Sequence, residues 1–205
     1  VEYGQLLEIG REMMESKRGK LQALYRFIVR KTLLTPLLFR PIGYFLRHSK
    51  VSSKPIKPNT IDSSVLLMGG CVQPSLAPNI NHSIKNILAK LNIEVRESSQ
   101  SECCGALDQH LAASNDALKK VKRNIDTWIS QLDSGVEAII SSASGCGVMI
   151  KDYPNLFEES DPYYEKALLV SSKTKDIAEF LANKDLSMLN LKELNISYHE
   201  PCTMQ

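Results

Sequence analysis

The sequence has no uninterrupted apolar run of the roughly 18–20 residues that a membrane-spanning helix needs, and no charged-then-apolar leader opens it. We therefore expect neither export nor a membrane span. Proline and glycine are not enriched and charged residues make up 23% of the chain, which excludes collagen-like and disordered compositions. Over 205 residues, a 43% hydrophobic content predicts one globular domain with an appendage.

The cysteines are unlike those of a disulfide scaffold, because there are five and an odd number cannot pair completely. A reducing, cytoplasmic compartment fits them better. Cys-x-x-Cys pairs, which structural zinc sites and dithiol–disulfide enzymes usually carry, are absent. The chain starts at Val1 and stops within a motif-like segment, so we expect missing sequence on both sides.

Residues 1–50 predict a helical connector with a basic surplus of ten Lys and Arg over four Asp and Glu. Apolar residues recur at helical spacing over residues 1–16 and 17–31, and Pro36 and Pro41 interrupt the apolar stretch that follows. This amphipathic segment either packs against the neighbouring domain or lies on an anionic membrane surface. The polar residues 51–62 predict a linker to a domain at 63–205.

Beyond the linker, strands and helices alternate in the order βαβαβαβ. We predict strands at residues 64–68, 93–97, 136–142 and 194–198, and helices at about 81–91, 116–132 and 162–181. This order predicts an α/β fold with a parallel sheet, whose binding crevice lies at the carboxyl ends of the strands.

All five cysteines come shortly after a predicted strand, and none lies in a predicted helix face. They are Cys71, Cys103, Cys104, Cys146 and Cys202. Thiolates are soft ligands that select iron–sulfur clusters or zinc, so their convergence at one sheet edge predicts a metal centre. The vicinal pair suits neighbouring irons of one cluster better than zinc, which stays the alternative. Glycines beside the sulfurs would let backbone pass close to a cluster: Gly69, Gly70, Gly105, Gly145 and Gly147.

The cysteine spacing and its surroundings resemble the first repeat of the cysteine-rich CCG domain, with the start of a second repeat. The resemblance rests on Gly70-Cys71-Val-Gln-Pro, Glu-Cys103-Cys104-Gly105-Ala-Leu-Asp-Gln-His110, Asn124-Ile-Asp-Thr-Trp128, Ala143-Ser-Gly-Cys146-Gly and His199-Glu-Pro-Cys202. This domain occurs in the iron–sulfur subunits of glycolate oxidase, in lactate-utilisation proteins and in heterodisulfide reductase. The glycolate oxidase subunits are the best match.

The resemblance implies an electron-transfer subunit of an oxidoreductase with no catalytic residue of its own. Flavin-containing dehydrogenase subunits would oxidise a 2-hydroxy acid, and this subunit would pass the electrons toward a membrane quinone. Two ferredoxin-type clusters would lie upstream of the chain. The segment Val1-Glu-Tyr-Gly-Gln-Leu-Leu-Glu-Ile-Gly-Arg resembles the helix that follows such a ferredoxin domain.

The sequence departs from the heterodisulfide reductase repeats at one position. Those repeats end in Cys-x-x-Cys, whereas here Met149 takes the place of the second cysteine. Four cysteines still suffice for a [4Fe–4S] cluster, with Cys202 either a further ligand or part of the second repeat's site. His110 and His199 would ligate or donate hydrogen bonds to the cluster, or serve only structural roles.

Two other hypotheses stay open. One is a relative of the lactate-utilisation or heterodisulfide reductase proteins, and the other is a zinc-stapled docking module without redox activity. Nucleic acid is not expected as a partner, because the basic residues of the connector are not interleaved with base-stacking aromatics.

Overall fold

The computed structural model describes residues 3–15, 17–46, 51, 54–98, 103–190 and 193–197. The part of the connector that it describes is helical, as predicted: α1 (Tyr3–Glu15), α2 (Lys20–Leu34) and α3 (Pro36–Leu46). Thr35 leaves helical backbone and Pro36 opens the next helix. The predicted break at Pro41 is wrong, because α3 continues through this proline and forgoes a single backbone hydrogen bond.

A four-stranded sheet follows the connector: β1 (Ser63–Leu67), β2 (Ile93–Arg96), β3 (Ile139–Ser141) and β4 (Thr174–Asp176). The spatial order is β2-β1-β3-β4 and every neighbouring pair is parallel. The predicted α/β class with a parallel sheet is therefore confirmed. The chain leaves β1 to one side and then returns to its other side, so the carboxyl ends of β1 and β3 form the topological switch point.

Helices connect consecutive strands. Between β1 and β2 lie α4 (Gln73–Leu76) and α5 (Pro78–Lys90), and between β2 and β3 lie α6 (Ala106–His110) and α7 (Ser114–Asp133). The last crossover contains α8 (Ser144–Lys151), a 3-10 turn (Tyr153–Leu156) and α9 (Tyr164–Lys173), and α10 (Ile177–Leu181) follows β4.

The fourth strand is not where the sequence pattern placed it. Residues 194–197 carry no regular secondary structure, and the side chains of Leu194 and Ile196 are exposed; residue 198 lies outside the described part. The strand is instead Thr174–Asp176, which divides the single helix predicted over residues 162–181. Asp176 ends this strand and caps α10 together with Glu179.

The two faces of the sheet build two hydrophobic cores, because successive residues of a strand point to opposite sides. On one face, Val65 and Leu67 pack with residues of α5 and α10, which are Ile84, Leu88 and Phe180. On the other face, Leu66 and Met68 pack with residues of α7, α8 and α9, which include Trp128, Ile150 and Val170. Cys103 and Cys104 belong to this second core.

A buried ion pair joins the connector to the domain that follows. Arg30 of α2 donates to Asp108 of α6 at 2.7 Å and to Asp116 of α7 at 2.8 Å. Burial disfavours the charged guanidinium, yet the hydrogen bonds to both carboxylates outweigh it and raise the pKa of Arg30. In α3, Phe39 is buried and Gly43 packs directly against Ser75 of α4. The predicted packing of the connector against its neighbouring domain therefore holds for one face of α2 and α3.

Replacing Arg30 with methionine should lower the free energy of unfolding by about 3 kcal/mol, the lower end of the range for a broken buried pair, because Lys120 still pairs with Asp108. Urea unfolding measures this change. Arg40→Met, at an exposed position of α3, is the matched control and should stay within about 0.5 kcal/mol of wild type. Equal effects of the two substitutions would contradict a stabilising role for the ion pair.

Candidate metal centre

Four cysteines follow the carboxyl ends of three adjacent strands. Cys71 comes four residues after the end of β1, Cys103 and Cys104 follow β2, and Cys146 follows β3. Because β2, β1 and β3 are parallel neighbours, these loops meet at one edge of the sheet. The structure therefore brings together four of the five predicted ligands.

The four thiols shift one another's pKa values. Hydrogen bonding from the thiols of Cys104 and Cys71 holds the pKa of Cys103 well below its usual value. The same interactions raise the pKa of Cys71 and of Cys104, and Cys104 also lowers the pKa of Cys146. Each thiol is therefore close enough to at least one other thiol to change its pKa.

The burial of the thiols is graded. Cys103 and Cys104 are buried, whereas Cys71 and Cys146 are half-buried at the edge of the site. The expectation that no cysteine lies in a helix is wrong for Cys146, which occupies the first turn of α8. Ala143 is extended and the helix begins directly after it, so the Cys146 amide already donates to the Ala143 carbonyl at 3.0 Å.

Gly105 closes the vicinal cysteine turn in a backbone conformation that favours glycine. Its φ is +92°, in the left-handed region. A Cβ at this position would also lie 3.4 Å from Val121 Cγ2 and 3.5 Å from the carbonyl oxygen of Ala117, both on α7. The turn therefore packs beside α7, and the left-handed backbone is the feature that favours glycine here.

The other predicted glycines differ in their settings. Gly70, beside Cys71, is also left-handed with φ +76°. Gly145 and Gly147 lie in α8 on either side of Cys146, and Gly147 faces Ser141 of β3. Each of these glycines is next to a cysteine of the site.

Two side chains that the sequence analysis did not single out as site residues hold the cysteine turn by its carbonyl groups. Asn124 of α7 donates to the carbonyl of Cys103 at 3.1 Å, and the hydroxyl of Tyr153 donates to the carbonyl of Cys104 at 2.9 Å. Asn124 also contacts the Tyr153 hydroxyl at 3.3 Å, and Trp128 stacks on the Tyr153 ring with centroids 6.2 Å apart. Burial raises the pKa of Tyr153, so its hydroxyl keeps the proton that it donates.

A second polar cluster joins the loops that carry Cys71 and Cys146. Asn81 of α5 donates to the carbonyl of Gly69 at 3.1 Å and accepts hydrogen bonds from Gln73 at 2.9 Å and from Ser142 at 2.9 Å. Gln73 also donates to Ser142 at 2.7 Å. This cluster connects the ends of β1 and β3, which fixes the spacing of two cysteine loops.

A charged group lies beside the vicinal cysteines. The Asp108 side chain, only 1% exposed, accepts a hydrogen bond from Lys120 of α7 at 2.6 Å as well as the one from Arg30. The positive charge of Lys120 contributes to the low pKa of Cys103, after the hydrogen bonds from the neighbouring thiols. The sequence analysis named neither Asp108 nor Lys120 as a site residue.

The predicted histidines are placed differently. The His110 ring, half exposed at the end of α6, contacts the Glu8 carboxylate of α1 at 2.7 Å. His199 lies outside the described residues, and so does Cys202. The roles predicted for these three residues stay predictions.

The chemistry of the donor set fits an iron–sulfur cluster. Four cysteines at one edge of the sheet match the four-cysteine ligation that such clusters use. Within the part of the chain that the structure describes, no three Cys, His, Asp or Glu side chains form a group suited to a single metal ion.

Comparison with known protein families matches residues 65–151 to the CCG family of cysteine-rich domains. These residues run from β1 to α8 and include all four thiols of the site. Residues 65–151 therefore form a cysteine-rich domain of the CCG family, as the resemblance predicted.

The curated proteins that resemble this chain include iron–sulfur and lactate-utilisation proteins. The glycolate oxidase iron–sulfur subunit of Escherichia coli is 34% identical over 223 aligned positions, which cover the whole of this chain and 55% of the relative. Lactate utilization protein A of Bacillus subtilis is 26% identical over 140 positions, which cover 68% of this chain and 55% of the relative. The chain thus spans about half the length of these relatives. No solved structure matches it.

Two glycines test how closely the CCG turn is packed. Gly105 and Gly135 share a φ of +92°, but a Cβ would meet α7 at Gly105 and open space at Gly135. We expect Gly135→Ala to lower the free energy of unfolding by about 1 kcal/mol for the left-handed backbone alone. Gly105→Ala should cost about as much, because its Cβ would make only ordinary van der Waals contacts with α7. Urea unfolding measures both, and a loss at Gly105 that exceeds the loss at Gly135 by more than about 1 kcal/mol would contradict this packing.

Proposed function

We propose that this chain is part of an iron–sulfur electron-transfer subunit of a glycolate (2-hydroxy acid) dehydrogenase. The observation that carries the proposal is the convergence of four free cysteines, Cys71, Cys103, Cys104 and Cys146, at the carboxyl ends of three adjacent parallel strands. The likeness of the whole chain to the E. coli glycolate oxidase subunit supports the assignment to this class of complex.

These four cysteines are the proposed ligands of one cluster, of the [4Fe–4S] type. Such a cluster accepts and releases single electrons at a potential that its surroundings set. Cys71, on the loop after β1, and Cys146, in the first turn of α8, are half-buried, while Cys103 and Cys104 belong to the core.

The remaining predicted residues would line this site. Backbone amides could approach the cluster sulfur atoms at Gly70, Gly105, Gly145 and Gly147. His110, at the end of α6, would ligate the cluster or donate a hydrogen bond to it. His199 and Cys202 would belong to the start of the second repeat. Cys202 would be either a further ligand of the cluster in the first repeat or a ligand in the site of the second repeat. No residue of this chain is assigned to the chemistry of the hydroxy acid.

The proposed partners are flavin-containing dehydrogenase subunits that deliver electrons and a quinone that accepts them. A lactate-utilisation role is the second candidate, because lactate utilization protein A of Bacillus subtilis shares 26% identity over 68% of the chain. The two differ in the electron donor. Reduction of the reconstituted complex by glycolate, and not by lactate, would favour the first.

The cluster assignment is tested by replacing one buried ligand in the complete protein, purified anaerobically. Cys104→Ser should remove iron and acid-labile sulfide in equal amounts and abolish one EPR signal, because this buried thiol is one of the four proposed ligands. Ala106→Ser, which adds a hydroxyl two residues along and removes no thiol, is the control and should leave both unchanged.

Metal analysis of the same preparations decides between a cluster and zinc. Zinc in stoichiometric amount, together with EPR signals that Cys104→Ser leaves untouched, would overturn the electron-transfer proposal. It would support the zinc-stapled docking module in its place.

A peripheral membrane contact of the connector is also proposed. No helix among the described residues is long and apolar enough to cross a membrane. Large apolar side chains of α2 and α3 are nevertheless exposed, above all Leu21 at 85%, Leu37 at 84% and Phe45 at 84%. Lys20 and Arg40 lie exposed on the same two helices. An apolar surface with basic residues beside it suits an anionic lipid surface near a membrane quinone.

Vesicle binding tests this contact. The complete protein should cosediment with phosphatidylglycerol vesicles more than with phosphatidylcholine vesicles, and Phe45→Glu should weaken the binding about tenfold, because a carboxylate is both charged and repelled by anionic lipid. Leu169→Glu, at an exposed apolar position of α9, is the matched control. Equal binding by wild type and both variants would contradict the proposal.

A further inference from the structure

Lys120 occupies the face of α7 that contacts the vicinal cysteine turn. Asn124, one helical turn further on, donates to the Cys103 carbonyl at 3.1 Å. Ala117 and Val121 are the residues that a Cβ at Gly105 would meet. Lys120 therefore projects from the part of α7 closest to Cys103, and its ammonium group lies 2.6 Å from Asp108 of α6.

The charges around this lysine leave a positive excess at the turn. Asp108 is 1% exposed and pairs with both Lys120 and Arg30. Arg30 also pairs with Asp116, and Lys31 pairs with Asp116 at 3.2 Å. Three cations and two carboxylates thus form one network with a net charge of one positive unit, beside the most buried part of the site.

We propose that Lys120 tunes the reduction potential of the cluster held by the CCG turn, making it easier to reduce. This inference rests on the proposed function. Reduction adds a negative charge to the cluster, and a nearby cation in poorly solvated surroundings stabilises the reduced form more than the oxidised form.

Lys120 is a positioning and charge-supplying residue in this scheme, and it is not proposed as a ligand. A purely structural role would consist of neutralising Asp108. That role predicts a change in stability when Lys120 is replaced, but it predicts no specific change in potential. The potential is therefore the measurement that separates the two roles.

The experiment is a potentiometric titration of the complete protein followed by EPR, using the signal that Cys104→Ser removes. At the wild-type midpoint potential, Lys120→Met should lower the ratio of reduced to oxidised cluster by about fivefold to tenfold, a tenfold fall being about 59 mV for one electron. Lys120→Arg keeps the charge and should retain the wild-type ratio. Lys119→Met removes the same charge from an adjacent, exposed position of α7 and should change the ratio less than twofold.

A Lys120→Met ratio equal to that of Lys119→Met would overturn the inference and leave the proposed function standing. Absence of any EPR signal that depends on Cys104 in the wild-type protein would overturn the proposed function, and the inference with it. Lys120→Gln keeps a hydrogen-bond donor for Asp108 without the charge. If Lys120→Met loses the EPR signal, the ratio of reduced to oxidised cluster is compared between Lys120→Gln and Lys119→Met instead.

Discussion

The hydrogen bonds that Asn124 and Tyr153 donate to the carbonyls of Cys103 and Cys104 fix the backbone on which the site is built. Two adjacent cysteines can direct their sulfurs into one pocket only if the peptide groups between and beside them are held, and a buried carbonyl without a donor would be costly. Gly105 then turns the chain away against α7. The other two loops meet this fixed turn, and the Asn81 cluster sets their distance from each other.

Long-range charge connects this site to the helices at the start of the chain. Asp108 follows the CCG turn by three residues and is almost completely buried, so its carboxylate needs compensating cations. One of them, Lys120, comes from the helix beside the turn, and the other, Arg30, comes from α2. The connector is thus part of the electrostatic surroundings of the site, although the sequence places the two about 80 residues apart.

The first three strands could be predicted because β1 and β3 are short apolar runs that end near glycine or serine, and β2 alternates apolar and charged residues. Parallel pairing then made the meeting of Cys71, Cys103, Cys104 and Cys146 a geometric consequence. The fourth strand could not be found in this way, since Thr174-Lys175-Asp176 is a three-residue edge strand without an apolar run. The capping pair of Asp176 and Glu179 was the available signal that a helix begins there.

Helical periodicity predicts that Asn124 is buried, but it does not predict the partner of its side chain. It shares the buried face of α7 with Ala117, Val121 and Trp128, and a lone amide on an apolar stripe indicates a specific buried partner. The identity of that partner, a carbonyl 21 residues earlier in the chain, depends on how the turn approaches the helix. The pairing of Asp108 with Arg30 carries no comparable signal, because both residue types are common on solvated helix faces.

Met149 explains why the site has four thiols within this repeat. It lies three residues after Cys146, so both are on one face of α8, and its side chain is 7% exposed within the core that also contains Cys103 and Cys104. A thiolate at this position would add a negative charge to this core, although the cations of the neighbouring network exceed its carboxylates by only one charge. Methionine fills the same space without charge.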